Sequence, residues 1–510
     1  MKRRTFVKST LSAAALASVP VSRGFGFELP AITSTGAETT LTQAEVKELA
    51  KSLTLALLTP DSHRYHENRK IWNGMWDDKH PALIVQCMDV SDVINAVNFA
   101  RTHDLLLAVR GGGHSISGKS VCHGGMVIDL SYMRSVQIDP QRKTARVGGG
   151  ALLSDLDRAA QRFGLVTPSG VVSHTGVAGL TLGGGIGRLM RKYGLTIDNL
   201  LSVEIVTSDG RLQRASDQEN ADLFWAVRGG GGNFGVVTAF EFRLHSMGTE
   251  ILSCGLAYPL DQAKDVFKFY FDFSREMPDE LHFGLSAAIQ ENGDSVGLFF
   301  GIGYSGSLKE AERIIEPIRK FGKPSFEAIG MRNFVELQSM GDAHNEHGRT
   351  YYIKGRHMND FDPDMVDPFI EQFQHAPSRF TVMRIVRFGG AIERVAKDAT
   401  AWPHRDAKWD FEVGGSWPNP DLSEKYVQWG RDYWKSLDSY MADSFYVNEL
   451  MDEGQSHVNA NYQGNYKRLS KLKQKYDPKN LFRLNANIEP VSYTHLRAHE
   501  TLRYLVCRLL

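Results

Sequence analysis

Three glycine clusters fall within one half of this chain, and they restrict its fold more than any other feature. The first, Arg110-Gly111-Gly112-Gly113-His114-Ser115, follows the apolar run Leu105–Val109. The second extends from Gly176 through Gly179 to Gly183-Gly184-Gly185-Ile186-Gly187, and the third is Arg228-Gly229-Gly230-Gly231-Gly232-Asn233-Phe234-Gly235. Residues without a Cβ let the main chain approach a ligand closely. Several backbone N–H groups aimed at one spot then make a diphosphate cradle. Three such loops are expected to surround a dinucleotide. A standard nicotinamide-dinucleotide site needs strand, GxGxxG and helix in immediate succession. In this chain His114-Ser115 lead into more loop and then a strand, which disfavours that site.

The elements around the loops read from periodicity. Apolar residues at Val90, Val93, Ile94, Val97 and Ala100 predict a helix over 89–104, and Leu105–Val109 and Val127–Leu130 predict short buried strands. Val136–Asp139 and Thr144–Val147 read as a hairpin, Ala151–Phe163 as a helix, and Leu201–Thr207 and Val236–Arg243 as strands. After about His245 the pattern changes. Longer strands, Ser295–Gly303 and Arg379–Arg387, alternate with helices Leu308–Phe321, Val366–Gln374 and Leu422–Met441. The class expected is α+β, with a glycine-rich unit followed by an antiparallel sheet backed by helices. A last helix, Tyr466–Tyr476, stops at Asp477-Pro478.

Bulk properties exclude some partners. Lys plus Arg and Asp plus Glu both number 59, giving no net charge, and no basic run suggests nucleic acid. Cys87, Cys122, Cys254 and Cys507 lack zinc-type spacing, so no metal is expected. Arg3-Arg4-Thr5-Phe6-Val7-Lys8 before the apolar stretch Leu11–Val19 resembles a twin-arginine export signal within a leader of residues 1–40. This implies export machinery as a partner and a periplasmic or extracellular location. No stable membrane insertion of the mature protein is expected. Residues 491–510 lack continuity with the preceding segment, resemble a translated adapter read-through, and are expected to be non-native.

Taken in order, the landmarks resemble the FAD-linked oxidases of the berberine bridge enzyme-like family, which share the vanillyl-alcohol oxidase (PCMH-type) fold. They are RGGGHS at 110–115, IDLS at 128–131, the Gly164–Gly187 region, WAVRGGGGNFGVVT at 225–238, PHR at 403–405, YVN at 446–448 and YDPKNLFRLNANI at 476–488. The resemblance implies a two-subdomain FAD-binding domain at 41–247, a substrate domain at 248–440, and a segment at 441–490 returning to the FAD unit. It implies one covalent link from FAD to His114. A second link from cysteine is not expected, because Val172 occupies that place. Thr175 falls where the family controls oxygen access to the flavin. The cofactor-binding set carried over is Arg110, Gly111, Gly112, Gly113, His114, Ser115, Gly176, Gly179, Gly184, Gly187, Gly232, Asn233, Gly235, Val237, Asn485 and Asn487.

The activity implied is removal of a hydride from a small alcohol, sugar or related metabolite, with O2 as electron acceptor. A base must take the accompanying proton. Phe445-Tyr446-Val447-Asn448-Glu449 matches a family strand motif in which Glu449 replaces a second tyrosine, making Glu449 and Tyr446 candidates. In Trp409-Asp410-Phe411-Glu412-Val413, alternation puts Asp410 and Glu412 on one face, and Glu412 is the better candidate. Tyr132, Tyr352 and Lys354 are weaker ones. His404 and Arg405 are expected to bond neighbouring loops. Two alternatives stay open: a flavin dehydrogenase with another acceptor, and a flavin-carrying binding protein without catalysis.

Overall fold

A computed structural model describes residues 28–289 and 296–491. The export signal and nearly all of the suspected tail, Cys507 included, lie outside the described residues. The chain builds two units joined by a returning C-terminal segment.

The first unit holds two main sheets, beside the small pairs Glu28–Ile32 with Glu38–Thr42 and Leu165–Val166 with His245–Ser246. In one, the strands run in the order Leu57–Leu58, Leu83–Gln86, Met126–Asp129, Leu107–Arg110, with the last three mutually parallel. The strands Leu83–Gln86 and Met126–Asp129 are buried along their whole length, as expected where a parallel sheet is covered on both faces. The predicted helix is Val90–Thr102, capped by Asp89, whose carboxylate accepts from the Asp92 N–H. The other sheet is antiparallel, ordered Leu212–Ser216, Leu200–Val206, Val236–Arg243, Thr144–Gly148, Val136–Asp139.

The second unit is a seven-stranded antiparallel sheet ordered Phe326–Asn333, Glu250–Pro259, Val296–Tyr304, Leu281–Ile289, Val382–Arg387, Trp409–Trp417, Thr350–Met358. Helices Ala263–Glu276, Leu308–Arg319, Val366–Gln374 and Ser423–Leu437 cover one face, and Phe267, Phe271, Phe300, Trp409 and Phe411 fill that core. The opposite face turns toward the glycine loops, where Tyr351 stacks on Trp72 with ring centroids 3.9 Å apart.

The helix Tyr466–Tyr476 returns to the first unit. Leu469, Leu472, Tyr476 and Ile488 share one core with Leu156, Phe224 and Val237, and Leu481 and Phe482 pack beneath the parallel strands. The buried Lys473 ammonium fastens the return: it donates to the Asn233 carbonyl at 2.7 Å and to Asp477 at 2.7 Å. Asp477 in turn accepts from the N–H groups of Leu481 and Phe482. Among the described residues no helix is long and apolar enough to cross a membrane.

Candidate active site

The glycine loops converge backbone against backbone. A Cβ on Gly112 would overlap the Cα of Gly176, so the first and second loops cross where neither can carry a side chain. The third loop joins them through the Gly229 and Gly231 N–H groups, which both donate to the Leu182 carbonyl, at 3.0 and 2.9 Å. Gly148-Gly149-Gly150, which lies outside the three clusters, completes the crossing, since a Cβ on Gly111 would lie 3.0 Å from the Gly149 carbonyl oxygen. Gly113 has a φ of +68°, a left-handed conformation suited to glycine. A Cβ on Gly179, by contrast, would meet no heavy atom within 4 Å, leaving room on that side.

His114 emerges from this crossing onto an aromatic wall. Its ring stacks on Trp72 at 4.2 Å and lies 5.0 Å from His174 and 6.4 Å from His347. Burial, then the two neighbouring imidazoles, push its pKa down to about 3, so the ring is neutral and nucleophilic at ordinary pH. Its Nε2 is buried with no hydrogen-bond partner among the described residues, and the same holds for Asn487 Oδ1. An unpartnered imidazole nitrogen beside side-chain-free loops fits a flavin dinucleotide.

Several residues of the carried-over set do other work. The Arg110 guanidinium is spent on Asp129, with bonds of 3.1 and 2.6 Å, and on the carbonyls of Asn68 and Lys70. Its side chain therefore braces the parallel sheet and is not available to a cofactor. Ser115 Oγ accepts from the Lys119 N–H at 3.0 Å, closing its own loop. Asn233 is wholly engaged: its amide donates to Gly230 and Ala486 carbonyls and accepts from Ile488 N–H. The Val237 side chain belongs to the apolar core. A Cβ on Gly232 would meet Asn485 Oδ1 at 2.9 Å, and one on Gly235 the Val206 carbonyl at 2.5 Å. These positions shape the cradle from behind. Gly184 and Gly187 do likewise, under Trp402 and against Ser169.

The carboxylate candidates converge instead of competing. Phe445–Glu449 is not a strand: Val447–Glu449 is a 3-10 turn, so Tyr446 and Glu449 reach different targets. The Tyr446 oxygen accepts from the Gly185 N–H at 3.0 Å and from Asn448 Nδ2 at 2.7 Å, which makes Tyr446 an anchor for the second glycine loop. Glu449 points onto the sheet. Its Oε2 occupies the space a side chain on Gly355 would need, and Gly355 is the cross-strand partner of Glu412. Arg384, the partner of Glu412 on the other side, binds Glu412 at 2.5 Å and lies 3.7 Å from Glu449. Burial first, then Asp410 and Glu412, hold the Glu449 carboxyl well above the usual range. The Glu449 carboxyl therefore keeps its proton beside the Arg384–Glu412 ion pair.

Behind them, burial pushes Asp410 up to about 7, and its carboxylate lies 3.8 Å from His357 Nε2. Tyr352 and Lys354 are on the opposite, helix-covered face, bound to Asp452. Arg405 pairs with Asp198 at 2.7 Å, joining loops as expected, and His404 approaches Gln463 at 3.4 Å. Tyr132 is exposed. Cys122 is buried against Leu106 and Met126 carbonyls in the parallel sheet.

Comparison with known proteins agrees with this geometry. The FAD binding domain family matches residues 81–216, and the berberine and berberine-like family matches residues 445–489. An FAD-linked oxidoreductase of Dictyostelium discoideum is 33% identical over 451 residues, covering 88% of this chain and 97% of the relative. The chain belongs to the berberine bridge enzyme-like family of FAD-linked oxidoreductases. Another member, (R)-6-hydroxynicotine oxidase of Paenarthrobacter nicotinovorans, is 30% identical over 452 residues, covering 85% of this chain and 96% of its own. The crystal structure of 6-hydroxy-D-nicotine oxidase from Arthrobacter nicotinovorans superposes with a TM-score of 0.79 at 30% identity, over 86% of this chain and 99% of that one. Like its family, this protein is an FAD-linked oxidoreductase of mixed α and β structure.

Proposed function

We propose that the protein is a flavin oxidase carrying FAD on a single covalent bond to His114, and that it oxidises a small alcohol or amine at carbon. The observation that carries this reading is the Glu412–Glu449 pair on the sheet face opposite the glycine loops, bridged by Arg384. FAD, when bound, supplies the hydride acceptor and hands the electrons to O2, giving hydrogen peroxide. His114 is suited to the covalent bond because its Nε2 is free and its ring neutral. Val172, in place of a cysteine, leaves His114 as the only tether.

The protein's own residues supply proton handling. Glu412, paired with Arg384, takes the hydroxyl or ammonium proton of the substrate as the hydride departs. Glu449 stays protonated and so prevents two negative charges from meeting at one point. Together they act as one base. The relative named (R)-6-hydroxynicotine oxidase supports oxidation of a small molecule on this scaffold.

The test is anaerobic mixing of the purified yellow protein with a panel of alcohols, sugars and amines, followed by air. Bleaching of the flavin and its rapid return with stoichiometric peroxide are expected. Bleaching that air reverses only slowly, while a dye acceptor reverses it at once, would instead identify a dehydrogenase. No bleaching by any substrate would leave a flavin-carrying binding protein.

A further inference from the structure

We propose that Arg188 is an anion-recognition residue, and that the substrate is a small organic acid whose carboxylate it binds. Arg188 directly follows Gly187 at the end of the second glycine loop. Its Nη1 donates to Gln338 Oε1 at 3.1 Å, and it forms no ion pair with any carboxylate among the described residues. The Nε and Nη2 side of the guanidinium, the flat fork that matches a carboxylate, donates to nothing there.

The support beneath Arg188 is fixed. Gln338, on the helix Phe334–Ser339, is buried, and its amide N donates to the Gly170 carbonyl at 2.8 Å, Ser169 Oγ at 3.0 Å and Asp157 Oδ2 at 3.4 Å. With every amide hydrogen directed that way, Gln338 can only present its oxygen to Arg188. Asp157 makes no ion pair with the guanidinium. Its oxygens face Ser169 and Gln338, and burial pushes its carboxyl up to about 7.

Charge counting across the cleft points the same way. Arg384 is neutralised by Glu412, Glu449 is protonated, and His282, near Arg188 and Arg384, is kept neutral by burial and by those cations. Arg188 is left without an ion-pair partner among the described residues. Burial and the nearby Arg384 lower its pKa to about 10, so it stays charged at neutral pH. A partly buried cation with an open fork is a ready site for a carboxylate, whereas a neutral ligand would leave it unpaired.

This assignment rests on the proposed flavin site, so binding is measured apart from turnover. Calorimetric titration of the oxidised holoprotein with benzoate, phenylacetate and benzyl alcohol is expected to show that at least one carboxylate binds. The alcohol should bind at least about tenfold more weakly. Arg188→Gln should lose the carboxylate preference while keeping its flavin content, and Arg188→Lys should restore part of it as a point charge. Equal binding of acid and alcohol, no binding of either acid, or an undiminished preference in Arg188→Gln would overturn the proposal. If flavin is never reduced by any substrate yet benzoate binding depends on Arg188, the oxidase reading fails and the anion site stands.

Discussion

At the scale of single residues, the site is governed by which polar atoms are already occupied. Among the described residues His114 Nε2 has no partner, whereas the Arg110 fork and the Asn233 amide are fully engaged. That difference separates a residue able to react with a cofactor from two that only frame it. His114→Ala should therefore yield protein whose yellow colour is released by acid precipitation, while the parent protein's pellet stays yellow; a His114→Ala pellet that keeps its colour would remove His114 as the tether. The place of His114 beside the glycine crossing was legible in the sequence because the RGGGHS landmark is local. Arg384, Arg188 and His357 were not, since each acquires its meaning from residues far along the chain: Arg384 meets Glu412 across a strand pair, and Arg188 meets Gln338 from another unit.

At the scale of elements, register does what spacing cannot. The alternation in Trp409–Val413 correctly put Asp410 and Glu412 on one face, with Trp409 and Phe411 in the apolar core on the other. What alternation could not supply was the row Gly355–Glu412–Arg384, assembled from three strands. Nor could it reveal that the segment bearing Glu449 is a turn. Gly355 is the hinge of this arrangement because its missing side chain admits the Glu449 carboxyl. Gly355→Ala should expel that carboxyl and slow flavin reduction by about 10²–10⁴-fold, the usual effect of losing a positioned base. Stopped-flow traces at the parent rate would show that Glu449 has no part in proton transfer. Helix existence was read well where an apolar stripe was long, as in Val366–Gln374 and Tyr466–Tyr476. Helix ends shifted by a few residues, because caps and packing set them.

At the scale of the whole molecule, buried titratable groups give stability a pH profile with two limbs. Burial holds His114, His282 and His404 down to about 3, so the unfolded chain binds protons that the folded chain refuses, and stability rises with pH from about 3 toward about 6.5. Burial raises Asp157 and Asp410 to about 7. Their contribution is present below about 4, the unfolded carboxylate range, and is lost as pH climbs through about 7. The two effects oppose each other between about 4 and 6.5, and from there to about 7.5 the carboxyls act without the histidines, before the buried Lys473, lowered to about 8, begins to titrate. The Tm is therefore expected to fall from about pH 6.5 to about 7.5, and Asp410→Asn should flatten that fall; an identical decline in the variant would rule Asp410 out as its source. The two-unit architecture was visible in the shift of composition near His245 and the return of the last segment was implied by the family resemblance, but the contacts that fasten it, among Lys473, Asn233 and Ile488, were not. Those contacts also make the third glycine loop a long-range structure: Ile488 clamps Asn233 from 255 residues further along the chain, so the loop takes its final shape only once distant segments have met.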